Sequence, residues 1–271
     1  MAGKQYWLRR MLVMLCAALL TPIANAEFEH TAWQQLLVKH VYVLREGRAS
    51  QVDYRGMASD RQSLADYLSQ LAKVTESEYQ AWTPPQQLAF LINAYNAWTV
   101  ELILRHYPDI DSIRDIGGWF GSPWKQEIVA LLGKRRSLDE LEHQMIRPHF
   151  REPRIHFAVN CASVGCPALL PEAYRGEQLD KQLETATKAF LADRQRNALR
   201  QGRLSVSRIF DWYAGDFAQG WRGLGSLREF LAHYGEALGL TPLQRQALRD
   251  GQLRIVYGDY DWRLNDRPGD E

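Results

Sequence analysis

The sequence predicts a long helix, from Pro85 to about His106, that is apolar on nearly all of its faces. The Pro84-Pro85 pair fits its start, because proline is well tolerated in the first turn of a helix. A helix that is apolar nearly all round is usually buried. The other segments therefore have to pack around this helix, and its burial is the strongest constraint on the fold.

Two asparagines interrupt this apolar helix. Asn93 and Asn96 lie on one stripe of the predicted helix, because residues three apart share a helix face. An amide that is buried without hydrogen-bond partners costs about 2–7 kcal/mol. We therefore expect both side chains to be hydrogen-bonded inside the protein, and both are candidate site residues.

Shorter segments complete the predicted fold. Ser137 and Glu140 form a capping box, which predicts a helix from Leu138 to about Ile146. Amphipathic patterns predict further helices at 30–45, 60–73, 176–194, 225–234 and 241–249. Short strands are predicted at 51–54, 127–131, 134–138, 155–160, 204–206 and 253–257. Because helices dominate and strands are few and scattered, we predict a helix-rich α+β single domain with a small, mostly antiparallel sheet.

The N-terminus has the pattern of a signal peptide. A basic start that ends at Arg10 is followed by an apolar run, Met11 to Leu20, and by the small-residue pattern Ala24-Asn25-Ala26. This order predicts a signal peptide over residues 1–26, cleaved after Ala26. The apolar run is shorter than the roughly 20 residues that span a bilayer. We therefore predict a mature domain, residues 27–271, that is periplasmic or secreted and keeps no stable membrane anchor.

The charge balance excludes one class of partner. The full chain has 33 basic and 32 acidic side chains, for a formal net charge of +1. Cleavage removes Lys4, Arg9 and Arg10 and leaves the mature chain slightly acidic. Proteins that bind nucleic acids carry clustered positive charge, so we predict no nucleic-acid partner.

One short segment brings together the residue types of a reactive site. Apolar residues alternate from Ile155 to Val159, which predicts a strand. A loop that ends at Pro167 follows, and it contains Cys161 and Cys166. Polar loops at the ends of strands often carry catalytic or binding residues.

Several phrases of the sequence occur together in a known family. They are Asn93–Ala97, Ser137–His143, Arg154–Ser163 with Cys166-Pro167, Ile209–Tyr213 with Asp216-Phe217, and Tyr260–Trp262. With these phrases in order over nearly all of the predicted mature chain, the sequence resembles the domain of unknown function 547. The resemblance implies a widespread bacterial family whose members are often exported. It implies no reaction, because the activity of the family is not established.

The first hypothesis for the site is a cysteine nucleophile. The thiol of Cys161 would attack, and the imidazole of His143 would be its base. The resemblance favours this histidine because it lies in one of the shared phrases. Asn93 or Asn96 would orient the imidazole, as the third member of a Cys-His-Asn arrangement does in other folds.

This arrangement predicts a hydrolase or acyl transferase that acts on a peptide-like or small amide substrate of the cell envelope. Backbone N–H groups near Ala162 and Ser163 would stabilise the oxyanion. We expect an imidazole within about 3–4 Å of the Cys161 sulfur. His156 is the alternative base, and Cys166 is the alternative thiol.

A second hypothesis needs no catalysis. Cys161 and Cys166 are the only cysteines of the predicted mature chain, and close cysteines form lasting disulfides in oxidising compartments. The protein would then be a ligand-binding or scaffold domain whose loop is fixed by the disulfide, and a bond between these two sulfurs would favour this alternative. A labile redox pair is a third alternative, although the spacing differs from Cys-x-x-Cys.

The residues near these cysteines also include ligand types that suit zinc. They are His143, His149 and His156. None of the spacings matches a compact pair of metal ligands, so we predict no metal and no cofactor.

Aromatic and amide side chains predict a groove for a small-molecule or peptide ligand of unknown identity. Aromatic rings in such a groove stack on ligands, and a few amides orient them. The predicted ligand-binding residues are Asn160, Ser163, His156, Trp119 and Trp262, and further candidate rings are Phe120, Trp124, Trp212 and Tyr213.

Overall fold

The structure is a computed structural model that describes residues 27–117 and 121–267. Its α-helices are α1 (Thr31–His40), α2 (Tyr54–Ser59), α3 (Arg61–Lys73), α4 (Glu76–Gln80), α5 (Pro84–Leu104), α6 (Leu138–Glu140), α7 (Leu179–Ala192), α8 (Ile209–Trp212), α9 (Leu227–His233) and α10 (Pro242–Arg249). Its strands are β1 (Val41–Leu44), β2 (Ala49–Val52), β3 (Val129–Leu131), β4 (Lys134–Arg136), β5 (Ala198–Arg200), β6 (Arg203–Val206) and β7 (Arg254–Tyr257). These elements confirm the predicted helix-rich α+β class.

Short helical turns connect the longer elements. Helix α6 continues directly as a π-helical turn, Leu141–Ile146, which completes the predicted capped helix. The 3-10 turns are Ile113–Gly117, Pro123–Lys125, Pro153–Phe157, Gly176–Gln178 and Asp216–Ala218. The predicted signal peptide and the predicted ligand-binding residue Trp119, with its neighbour Phe120, lie outside the described residues.

Helix α5 is the buried centre of the fold, as its apolar pattern predicts. Thr83 and Gln86 form a capping box at its start, which satisfies backbone groups that the first turn leaves free. Every residue from Leu88 to Leu104 is buried, and helices α2, α3 and α7 pack against it. No helix among the described residues is long and apolar enough to cross a membrane.

Two hydrophobic clusters form around this arrangement. The first surrounds α5 and includes residues of α1, α3 and α7. The second is rich in phenylalanine and draws on the C-terminal half of the chain. Its rings include Phe157, Phe190, Phe210, Phe217 and Phe230.

The strands form three small sheets. Two are antiparallel hairpins, β1 with β2 and β3 with β4. In the third sheet β5 and β6 are antiparallel, and β7 adds parallel to β6. The helix predicted over 30–45 ends at His40, because Val41, Tyr42 and Val43 favour a strand and pair with β2.

The strand predicted over 155–160 is wrong, because Pro153–Phe157 form a 3-10 turn. Proline suits the first position of such a turn, and the Glu152 carboxylate accepts a hydrogen bond from the backbone N–H of Arg154. The alternating apolar residues serve two clusters: Ile155 joins the first and Phe157 joins the second. Burial on both sides of the turn therefore produced a pattern that resembles a strand.

Candidate functional site

A pocket of about 270 Å³ opens where residues of both hydrophobic clusters meet. Its size is close to the lower end of the range for small-molecule sites. Its aromatic wall consists of Tyr95, Trp124, Trp212, Tyr213, Tyr260 and Trp262. Its polar and sulfur-containing residues are Ser122, Asp139, His143, His156, Cys161 and Cys166.

The two cysteines lie together in this pocket. Their sulfurs are at disulfide distance, and their Cα atoms are 6.3 Å apart. Cys166 is buried, whereas Cys161 is half-buried. The backbone N–H of Cys161 donates to the Cys166 sulfur at 3.0 Å. The Tyr260 hydroxyl lies 3.1 Å from the Cys166 sulfur and 3.2 Å from the Cys161 sulfur.

His156, on the Pro153–Phe157 turn, is the most buried imidazole of the pocket. Its Nε2 lies 2.7 Å from the Asp216 Oδ2, so Nε2–H donates a hydrogen bond to the carboxylate and the lone pair is on Nδ1. Nδ1 is buried and has no hydrogen-bond partner among the described residues. The ring stacks on Tyr213 with centroids 3.9 Å apart. Burial lowers the pKa of His156 and outweighs the opposite effect of its hydrogen bond to Asp216, so the imidazole is neutral at pH 7.

Asp216 holds this imidazole in place and is itself held by an arginine. Arg147 donates from Nε to Oδ2 at 2.6 Å and from Nη2 to Oδ1 at 2.9 Å. Burial would raise the pKa of Asp216, but hydrogen bonds from His156 and Arg147 hold it well below its usual range. The carboxylate is therefore ionised over the whole neutral range.

His143 lines the pocket, but it faces an arginine and not a thiol. Arg147 Nη1 donates to the His143 Nδ1 at 2.8 Å, and Nε2 lies 3.7 Å from the Asp139 Oδ1. Within residues 27–117 and 121–267, neither His143 nor His156 hydrogen-bonds to the Cys161 sulfur. The predicted contact between Cys161 and His143 is therefore wrong.

Asn93 and Asn96 are buried and hydrogen-bonded, as predicted, but they bind backbone and not an imidazole. Asn93 donates to the carbonyl of Tyr174 at 2.8 Å and accepts from its N–H at 3.0 Å. Asn96 donates to the carbonyl of Ala158 at 3.0 Å and accepts from the N–H of Asn160 at 2.8 Å. The predicted orienting role is wrong because each amide already uses its acceptor and one donor to fix a loop.

The loop of the cysteines is held from inside by Asn160. Its Nδ2 donates to the carbonyl of Pro167 at 2.7 Å, and its Oδ1 accepts from the N–H of Ala162 at 2.8 Å. Ala162 has φ 62°, in the left-handed region. Because the Ala162 N–H already donates to the Asn160 side chain, its predicted role in binding an oxyanion is wrong.

The predicted ligand-binding residues divide into two groups. His156 and Trp262 line the pocket. Asn160 and Ser163 are buried in the loop and do not line it. Trp262 contacts three rings of the wall, with centroids 4.5 Å away for Tyr260, 5.6 Å for Trp212 and 5.8 Å for Trp124.

The described residues contain no group of three or more His, Cys, Asp or Glu side chains that could hold a metal ion. His149, which the sequence placed near the cysteines, is exposed and lines other surface cavities. Three of the predicted ring candidates, Trp124, Trp212 and Tyr213, do line the pocket.

Residues 79–191 match the model of a family described as a protein of unknown function, DUF547. The match assigns this segment of the chain to the DUF547 family. The matched segment includes α5, the π-helical turn, both cysteines and α7. No curated protein and no solved structure matches the chain.

Three residues that hold His156, Asp216 or the cysteine sulfurs in place were not predicted as site residues. Arg147 lies inside the DUF547 segment, whereas Asp216 and Tyr260 lie beyond it. The phrases Asp216-Phe217 and Tyr260–Trp262 were already among those that carry the resemblance. For Asp216 and Tyr260, this position in the shared phrases was the signal that the sequence offered. Their contacts, of Asp216 with His156 and of Tyr260 with the cysteines, depend on the fold.

Proposed function

We propose that this DUF547 protein is an exported, cysteine-dependent hydrolase or acyl transferase for a peptide-like or small amide substrate of the cell envelope. In the reduced protein, Cys161 is the nucleophile, His156 replaces His143 as the base, and Asp216 replaces the asparagines as the orienting group. The observation that carries the proposal is that Cys161 and the oriented, neutral imidazole of His156 line the same pocket.

The acyl-transfer step uses groups that lie beside the sulfur or the imidazole. The Cys161 thiol gives its proton to the His156 Nδ1, the sulfur bonds to the carbonyl carbon, and the amine then leaves with that proton. The Asp216 carboxylate stabilises the imidazolium that forms between these steps. Water or a second amine then attacks the thioester and restores the thiol.

Two donors next to the sulfurs are suited to the oxyanion. They are the Cys161 N–H and the Tyr260 hydroxyl, both of which now lie near the Cys166 sulfur. When a substrate carbonyl lies beside Cys161 in the reduced protein, these donors can bind its developing negative charge, which is where such donors act most strongly. They replace the Ala162 N–H that the sequence suggested.

A second candidate function is a non-catalytic ligand-binding or scaffold domain with a structural Cys161–Cys166 disulfide. The disulfide distance between the two sulfurs favours it. In this case the aromatic wall binds a ligand, and the bond fixes the floor of the pocket.

An acylation experiment separates the two candidates. Cys166→Ser leaves Cys161 as the only cysteine of the predicted mature chain, and a p-nitrophenyl ester supplies an acyl group. We expect a thioester on Cys161 by intact mass, and a rate that falls about 100-fold or more on adding His156→Gln. Cys161→Ser is the negative control without a nucleophile. His143→Gln is the control for the other histidine of the pocket, which the proposal does not use as the base. A rate that is insensitive to His156→Gln would favour the binding domain.

A further inference from the structure

We propose that the Cys161–Cys166 pair is a directional thiol–disulfide exchange site, at which a small external thiol attacks the Cys161 sulfur and Cys166 leaves. The exchange needs no amide substrate and no base from His156. It therefore stands or falls separately from the proposed acyl transfer.

Access sets the direction of attack. Both cysteines line the pocket, but Cys161 is half-buried whereas Cys166 is only 2% exposed. Gly165 packs directly on the Tyr260 ring, since a Cβ at Gly165 would lie 2.9 Å from three of its carbons. The ring therefore covers the chain next to Cys166, and a thiol in the pocket meets the Cys161 sulfur first.

Hydrogen bonding also selects the leaving group. The Cys161 N–H and the Tyr260 hydroxyl both lie about 3 Å from the Cys166 sulfur. Donors aimed at a thiolate favour the charged form, and a thiol that ionises more easily leaves faster in exchange. The contacts of the Cys161 sulfur are longer, at 3.2 Å from the Tyr260 hydroxyl and 3.8 Å from the Ser163 hydroxyl. Burial raises the pKa of Tyr260, so this hydroxyl keeps its proton.

The chemistry balances with a low-molecular-weight thiol as the reductant. Its thiolate bonds to the Cys161 sulfur, the Cys161–Cys166 bond breaks, and the electron pair goes to the Cys166 sulfur as a thiolate. A second thiol then attacks the mixed disulfide, which releases the Cys161 thiolate and an oxidised disulfide of the reductant. The protein gains two electrons, and the two small thiols lose two.

The loop is built to keep the two sulfurs close in the reduced state. Asn160 binds the backbone at Ala162, next to Cys161, and at Pro167, next to Cys166. Asn96 in turn fixes the Asn160 backbone from the buried helix α5. Because these bonds do not involve either sulfur, the loop geometry persists after reduction and the pair can close again.

The decisive experiment maps the first exchange product in the unmodified mature protein. The oxidised protein is treated briefly with glutathione, quenched with acid, alkylated with iodoacetamide and digested for mass spectrometry. We expect glutathione on Cys161 and the alkyl group on Cys166. Glutathione on Cys166, or a bond that opens only after denaturation, would overturn the proposal.

A variant tests the leaving-group argument. Tyr260→Phe keeps the ring but removes the hydroxyl, so we expect glutathione to reduce the bond about tenfold more slowly. Tyr257→Phe on β7 is the matched control and is expected to keep the original rate. In a Cys161→Ser background, thiolate absorbance of Cys166 is expected to appear below pH 8.5, the value for free cysteine. Equal rates in the two tyrosine variants would contradict the argument.

Discussion

At the scale of single residues, Asp216 links the pocket residue His156 to the positive charge of Arg147. It accepts hydrogen bonds from His156 and from Arg147, and these bonds hold its pKa well below the usual range against the effect of burial. An Asp with a lowered pKa stabilises the folded state above its unfolded pKa, and this stabilisation is lost as the pH falls.

Asp216→Asn is therefore expected to destabilise the protein in a pH-dependent way. At pH 7 the loss should be about 1–3 kcal/mol, because hydrogen bonds to a charged group disappear. The loss should be fully present above about pH 4, the unfolded value for Asp, and should shrink as the pH falls below it. Urea unfolding of both proteins between pH 7 and pH 3 measures this. A loss that stays constant with pH would show that the charge of Asp216 contributes nothing.

His30 gives a second prediction at this scale. It is buried, its Nδ1 lies 2.6 Å from the Tyr67 hydroxyl, and burial, with a contribution from Arg175, lowers its pKa to about 3. Because the unfolded pKa is about 6.5, its stabilisation is fully present above pH 6.5 and is lost as the pH falls toward 3. Between pH 7.5 and pH 5 the free energy of unfolding should drop by about 2 kcal/mol from this group.

His30→Gln should remove that part of the pH dependence. The measurement is urea unfolding at pH 7.5 and pH 5, with His149→Gln as the control at an exposed histidine. If His30→Gln and the original protein lose the same free energy on acidification, His30 does not carry the effect.

At the scale of elements, helix α5 both fills the core and shapes the reactive loop. Asn93 and Asn96 emerge from the same buried helix, and each holds one backbone segment through two hydrogen bonds. Only Asn96 holds the segment that leads directly into Cys161. The two amides are therefore a matched pair with equal chemistry and different targets.

Asn96→Leu is expected to loosen the cysteine loop, whereas Asn93→Leu is not. Each variant leaves a buried N–H and a buried carbonyl without a partner, which costs about 1–3 kcal/mol per group. Amide hydrogen exchange distinguishes them, because the Asn160 N–H donates to Asn96 and should lose protection only in Asn96→Leu. Equal protection of Asn160 in both variants would refute the role of α5 in positioning the loop.

The sequence and the structure agree best where the signal is local. The apolar length of α5 and the N-cap at Ser137 depend on neighbours in the chain, so both helices were predicted. The 3-10 turn at Pro153–Phe157 was missed because burial in two clusters imitates the alternation of a strand.

The site was predicted only in part, because its decisive contacts join distant segments. Cys161, His156 and Trp262 were each named as candidate site residues, and all three line the pocket. Asp216 lies 60 residues from its partner His156, and Tyr260 lies 94 residues from Cys166. Contacts of this separation are set by how the second cluster packs on the first, and no local spacing encodes them.

At the scale of the whole molecule, the pocket lies between two hydrophobic clusters, whose buried residues run from Trp33 to Leu183 in the first and from Phe157 to Leu253 in the second. The cysteines and His156 come from the segment shared with the DUF547 family, and Asp216 and Tyr260 come from the C-terminal part. The site is therefore complete only when both parts of the chain are folded together.

The most direct test of this account is the pH profile for alkylation of Cys161 by iodoacetamide in Cys166→Ser, with and without His156→Gln. If the His156 imidazole accepts the proton of the Cys161 thiol, the midpoint of the alkylation profile should lie below about pH 8.5, the pKa of free cysteine. It should return toward that value when His156→Gln is added. Two superimposable profiles with a midpoint near pH 8.5 would contradict the account and leave the pocket without a catalytic thiol.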